Sequence, residues 1–186
     1  MNTYNVLNKQ IFSVDAFSIV PIRYEDSMAI LKWRNEQVYH LRQDKPLTES
    51  DQENYFNNVV KKLFTQDKPN QLLFSFMQDG LCIGYGGLVH INWIDKNAEI
   101  SFVMNTKLEK KYFSMHWKIF LKLIEEVAFM ELHFHKIFTF AYDLRPHLYE
   151  ILEQANWTKE AILKSHINLN GDFKDVIIHS KFNTNK

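Results

Sequence analysis

One cysteine, five glycines and four prolines are all that 186 residues contain, and each scarcity excludes something. The single Cys82 rules out an internal disulfide, which fits a reducing compartment. Basic and acidic residues balance at 22 each, whereas a dedicated nucleic-acid or anionic-membrane binder needs a basic excess. No apolar run approaches the roughly 20 residues needed to cross a bilayer. The start, MNTYNVLNKQ, lacks the charged and apolar regions of a secretory signal. There is no Gly-x-Ser-x-Gly, P-loop or dinucleotide fingerprint. His133 and His135 have no acid or thiol at zinc spacing, so no metal site is expected. The expectation is a cytoplasmic protein that binds neither nucleic acid nor membrane.

What is present is a core. Hydrophobic residues make up 46% and aromatics 15%, enough to offset the entropy of ordering one domain over residues 1–186, with a polar extension at 1–15. FSIVPI reads as a strand and EDSMAILKWRN as a helix capped near Asp26. TESDQENYFNNVVKKLF is a second helix, with Thr48 or Ser50 at its cap. QLLFSFMQ, LCIGYGGLVHINW and AEISFVM are strands joined by turns at Asp79-Gly80 and Asp95-Lys96. A helix is expected from about Phe113 to Met130, then the strand HKIFTFAYD, the short helix PHLYEILEQA and a closing hairpin around Asn170-Gly171. That order gives an α/β (α+β) domain with a mixed, mostly antiparallel sheet and about four helices.

The central hairpin carries polar residues at strand spacing. Alternation places Leu88, His90 and Asn92 on one face, and Glu99, Ser101 and Val103 on one face of the next strand. With Asp95-Lys96 as a two-residue turn, Asn92 lies opposite Glu99 and His90 opposite Ser101. The plain alternative is the solvent side of an antiparallel pair.

ILKWRNEQVYHLRQDKPLTESDQENYF, CIGYGGLVHINWIDKNAEISFVM, AFMELHFHKIFTFAYD and the closing hairpin, in this order, resemble the GNAT superfamily of acyl-CoA-dependent N-acetyltransferases. The wording is similar to the branch holding ribosomal-protein and nucleotide-amino-sugar acetyltransferases. The resemblance implies the GNAT fold, acetyl-CoA as co-substrate and a small-molecule amine acceptor, in a monomer or homodimer. It points to an amino group on a nucleotide-linked sugar, with a protein N-terminus or a catalytically degenerate interaction module as alternatives. It assigns Glu99 as base, with His90 or Ser101 relaying. The family's usual acid, a tyrosine, falls at Leu152; Tyr149, one turn earlier, stands in for it. Strand residues Phe102, Val103 and Met104 would pair with the pantetheine arm. Relatives carry a glycine-rich loop that binds the pyrophosphate. Its counterpart here, Lys110, Lys111, Phe113, Ser114, Met115 and His116, has no glycine, so close backbone approach is impaired and the site is altered. Arg145 is positioned to meet a cofactor phosphate or to make a surface ion pair. Trp33, Arg34 and Asn35, with the segment from Tyr39 to Asp44, would border the acceptor; Trp33 fits an apolar helix stripe equally well.

Overall fold

The computed structural model describes residues 2–184. Strands β1 (Phe12–Val14) and β2 (Phe17–Pro21) precede helix α1 (Ser27–Glu36). Helix α2 (Glu49–Tyr55) continues through a π-helical turn, Phe56–Val60, into α3 (Lys61–Leu63). Strands β3 (Leu72–Gln78), β4 (Leu81–Asn92) and β5 (Asn97–Met104) form the centre of the sheet. Helix α4 (Thr106–Glu125), β6 (Lys136–Tyr142), α5 (Pro146–Gln154), β7 (Thr158–Leu169) and β8 (Asp172–Phe182) complete the chain. One sheet runs β1-β2-β3-β4-β5-β6-β8-β7. Every pairing is antiparallel except β5 with β6.

Local chemistry explains most boundaries. Thr48 caps α2 through a reciprocal box with Asp51: each side chain accepts from the other residue's backbone N–H. Pro146 stands in the first turn of α5, where a missing N–H costs nothing. The helix α4 buries Trp117, Phe120, Leu121 and Ile124 against the sheet, where Phe120 stacks on Phe102 with centroids 4.1 Å apart. Only glycine fits at position 86. A Cβ there would stand 2.2 Å from the Ser101 carbonyl oxygen and 2.8 Å from Phe120 Cζ. The expected polar extension is tied down: Tyr4, Leu7 and Phe12 are buried, and the Tyr4 hydroxyl bonds both the carbonyl (2.7 Å) and N–H (2.9 Å) of Leu73. No helix among the described residues is long and apolar enough to cross a membrane.

Two expectations are corrected. The β4–β5 register differs: Val89, not Asn92, faces Glu99, and Gly87, not His90, faces Ser101. Residues 93–96 form a four-residue loop, closed by Asn92 Oδ1, which accepts from the N–H groups of Ile94 and Asp95 at 3.0 Å each. A bulge precedes the loop, with His90 at φ 50° and the Ile91 N–H donated away from β5 to the Asn70 carbonyl. Leu88 is core while His90 is exposed, so the two do not share a face. The second correction is the start of α4, seven residues earlier than expected. Asn105 caps it, and the helix-forming run that follows winds where a glycine-rich loop was anticipated.

Candidate active site

Strands β5 and β6 pair over only three residues, Asn97, Ala98 and Glu99 against Lys136, Ile137 and Phe138. Beyond Glu99 they part, and a cleft of about 370 Å³ opens between Ile100–Phe102 and Thr139–Tyr142. Asn105 N–H donates to Ile83 on the β4 side, while the Met104 carbonyl accepts from Gln37 on the other. Strand alternation turns residues 100 and 102 toward β6: the Ile100 N–H closes the ladder at Phe138, and the Ile100 carbonyl and the Phe102 peptide face the splay beyond it. That is a slot for an extended amide-bearing chain.

At the pinched end lies a polar cluster. Glu99, with 12% of its side chain exposed, accepts from Arg42 Nη2 through Oε1 at 2.8 Å. Its Oε2 is 4.0 Å from His90 Nε2, and Arg42 Nη1 is 3.1 Å from that same nitrogen. The bulge brings His90 here, so Glu99 and His90 meet by a different register, while Asn92, expected opposite Glu99, is committed to the β4–β5 loop. The guanidinium of Arg42 lies 4.2 Å from the Phe140 ring centroid, which fixes its plane. Ser101 lines the same cleft. So does Tyr142, whose hydroxyl titrates above the usual phenol range because burial disfavours the phenolate, an effect opposed by Arg42.

At the open end the expected phosphate loop is helix. The N–H groups of Lys107, Leu108 and Glu109 are spent on Asn105, the first on its side chain. Lys110, Lys111, Ser114 and Met115 are exposed on α4. Phe113 packs on His147 at 4.4 Å. The ring of His116 is buried, 1% exposed, among Phe17, Phe76 and Tyr112, and it does not line the cleft. The side chains of Val103 and Met104 are core, leaving the Phe102 peptide as the strand's free contact. Arg145, at the entrance to α5, does reach the cleft, and its Nη1 is 3.3 Å from His40 Nε2. Burial, and secondarily Arg145, pushes His40 down to about 3. Its imidazole is neutral at physiological pH.

The Trp-Arg-Asn stretch divides three ways. Trp33 is core. Asn35 ties down the following segment by accepting from Leu47 N–H and donating to Leu47 O, each at 2.8 Å. Arg34 alone lines the cleft, held by Gln43 (3.1 and 3.0 Å) and by the Tyr85 hydroxyl (2.6 Å). Tyr149 donates to the Tyr142 carbonyl at 3.1 Å, stacks on His179 and does not line the cleft. The tyrosine that does line the cleft is Tyr142. His40 and Arg42 lie in the segment from Tyr39 to Asp44 that was expected to border the acceptor, and they line the cleft; Tyr142, at the end of β6, was passed over.

A splayed strand pair beside a carboxylate is the arrangement that the resemblance to acyl-CoA-dependent acyltransferases implies. The chain belongs to the acetyltransferase (GNAT) domain family, whose model matches residues 19–178. Solved structures share the fold. Spermidine N-acetyltransferase from Vibrio cholerae in complex with CoA and spermine is 17% identical, covering 91% of this chain and 96% of that one, with a TM-score of 0.80. A dodecameric structure of spermidine N-acetyltransferase from Vibrio cholerae in an intermediate state is 18% identical, covering 90% and 94%, with a TM-score of 0.74. The enzyme is thus an N-acetyltransferase with acetyl-CoA as co-substrate. The residues fit that cofactor: open peptide groups for the pantetheine amides, and side-chain cations, not a backbone nest, for the phosphates. Among the described residues no group of three or more His, Cys, Asp or Glu is placed to hold a metal.

Proposed function

We propose that this enzyme acetylates the primary amine of a small acceptor that also carries anionic groups, a nucleotide-linked amino sugar being the class that fits. One observation carries this reading. Arg34, Arg42 and Arg145 line the cleft, and Glu99 is the one carboxylate among the described lining residues. Two like charges 4 Å apart repel by about 1 kcal/mol in water and about 4 at an effective dielectric of 20. A polyamine, the substrate named for the Vibrio cholerae relatives, would meet that repulsion at several ammonium groups. A diphosphate would be attracted.

Acetyl-CoA supplies an activated thioester acetyl group. The Ile100 and Phe102 peptides hold the extended arm and keep the reacting carbonyl at the Glu99 end. Glu99 Oε2, the oxygen that Arg42 leaves free, takes the proton of the acceptor's ammonium, directly or across a water. Arg42 and Arg34 bind the acceptor's anion, Arg145 the phosphate end of the cofactor. Tyr142 supplies a proton to the departing thiolate.

The test is thiol release over an acceptor panel: nucleotide-linked amino sugars, spermidine and N-terminal peptides. Turnover of the amino sugars, with kcat/KM lowered about 10- to 100-fold in Arg42→Gln, supports the reading; that range is the worth of a charge-assisted hydrogen bond. Preference for spermidine or peptides would overturn it. An enzyme that gives no calorimetric heat with acetyl-CoA would instead be an interaction module.

A further inference from the structure

Behind Arg34 lies a second cavity, of about 340 Å³, between α1, α2 and β4. Ile22, Ile30, Leu47 and Phe56 give it apolar walls. Arg34 lines both cavities, and the hydrogen bond from the Tyr55 hydroxyl to Gln71 Oε1 (3.2 Å) links a residue of this one to a residue of the cleft. The partition is therefore a few side chains thick.

Two polar groups on its walls have unspent capacity. Gln52 is 2% exposed, and its Nε2 donates to the Ser27 carbonyl at 2.9 Å. Its Oε1 has no hydrogen-bond partner among the described residues. The Tyr85 hydroxyl accepts from Arg34 Nη1, and its own proton finds no acceptor among them. Gln52 Oε1 opens onto the cavity and is free to accept from an occupant, a hydrogen bond worth about 1 kcal/mol. An apolar slot offering one C=O acceptor and one O–H donor complements a flat heterocycle that presents an N–H beside a carbonyl or ring nitrogen. The Asp51 carboxylate on the same rim is already committed to the Thr48 N–H (2.9 Å) and hydroxyl (2.7 Å). The wall also includes Phe56, where α2 passes into its π-helical turn, a distortion frequent at functional sites.

We propose that this cavity seats the nucleobase of the acceptor, with Arg34 in the shared wall taking the diphosphate that joins base to amino sugar. The proposal rests on the anionic-acceptor reading above and adds where specificity for the nucleotide resides. Gln52 and Tyr85 read the base edge; Arg34 is the hinge point between recognition and chemistry.

The experiment is calorimetry on the full chain saturated with CoA, so that the cofactor's own nucleotide site is filled. UDP, thymidine diphosphate, CDP, ADP and GDP are compared with pyrophosphate and ribose 5-phosphate. At least one nucleoside diphosphate is expected to bind tenfold or more tighter than the two fragments. Gln52→Met and Tyr85→Phe should each lose about tenfold of that preference and keep their affinity for CoA. If Gln52→Met fails to fold, Tyr85→Phe and the wild-type ranking still decide. Nucleoside diphosphates binding no tighter than pyrophosphate, or both variants keeping the base preference, would overturn the subsite. An amino-sugar 1-phosphate acetylated as well as its nucleotide conjugate would also overturn it, while leaving the acetyl-transfer reading intact. Tight nucleoside diphosphate binding, lost in the variants, without turnover of any amino sugar supports the cavity and overturns only the acceptor's amine.

Discussion

Replacing Glu99 by Gln tests the mechanism at its narrowest point. The amide keeps the shape and still offers Oε1 to Arg42 Nη2, 2.8 Å away, so the cluster stays assembled. Arg42 has 43% of its side chain exposed, and solvent screens the lost charge pair to within about 1 kcal/mol of stability. The proton acceptor is gone. General-base catalysis is worth about 10²–10⁴ in rate, and kcat at neutral pH is expected to fall by that factor. The KM for acetyl-CoA should hold within about twofold, because the Ile100 and Phe102 peptides that meet the cofactor are untouched. As pH rises toward the amine's own pKa, more acceptor arrives neutral and the deficit shrinks by about tenfold per unit. Thiol release measured at several pH values between 6.5 and 9, with cofactor binding by calorimetry, reads all three quantities. A variant that retains its rate at neutral pH, while Tyr142→Phe does not, would refute the assignment of Glu99 as base.

Other outcomes follow from the same geometry. Tyr149→Phe removes the hydrogen bond to the Tyr142 carbonyl and the interaction with Asp143, and should cost about 1 kcal/mol in urea denaturation with kcat unchanged; Tyr142→Phe should lower kcat. Gly86→Ala drives a methyl into the Ser101 carbonyl and Phe120, so a loss of ~2 kcal/mol or more is expected, with a raised KM for acetyl-CoA as β5 shifts. Burial holds His40, His116 and His179 below the ordinary histidine range in the folded state. The unfolded chain therefore takes up protons that the folded one refuses. Stability should fall as pH drops below about 6.5, and thermal melts between pH 7 and 5 should show a shallower decline in His40→Gln.

Periodicity carried the strand and helix order because burial imposes it residue by residue: the stripe of Trp117, Leu121 and Ile124 is buried where a 3.6-residue repeat puts it. β1 was missed because three residues are too few to show a period. The Glu99–His90 meeting was legible, but its register was not. Register depends on how Asn92 closes a loop and on where the Ile91 N–H goes, and neither leaves a pattern in the sequence. His116 was expected to face the cofactor because the phosphate-binding turn into the helix was placed there. Once Asn105 caps the helix, the same spacing turns its ring inward. Arg42 and Tyr142 were not singled out because long-range pairing of a loop with a strand end has no local signature.

The early start of α4 has a consequence for how cofactor affinity responds to ionic strength. A nest of backbone amides grips phosphate at short range and feels salt weakly. Here those amides are spent on Asn105, and under the function proposed above the attraction is left to side chains of two kinds. Lys110 and Lys111 stand in solvent, where a Debye length of about 8 Å at 0.15 M screens them. Arg145 is held inside the cleft against His40, beyond the reach of much of that screening. Added salt should therefore weaken CoA binding in two stages, shedding the lysine contribution first and leaving a residue of affinity that belongs to one half-buried guanidinium.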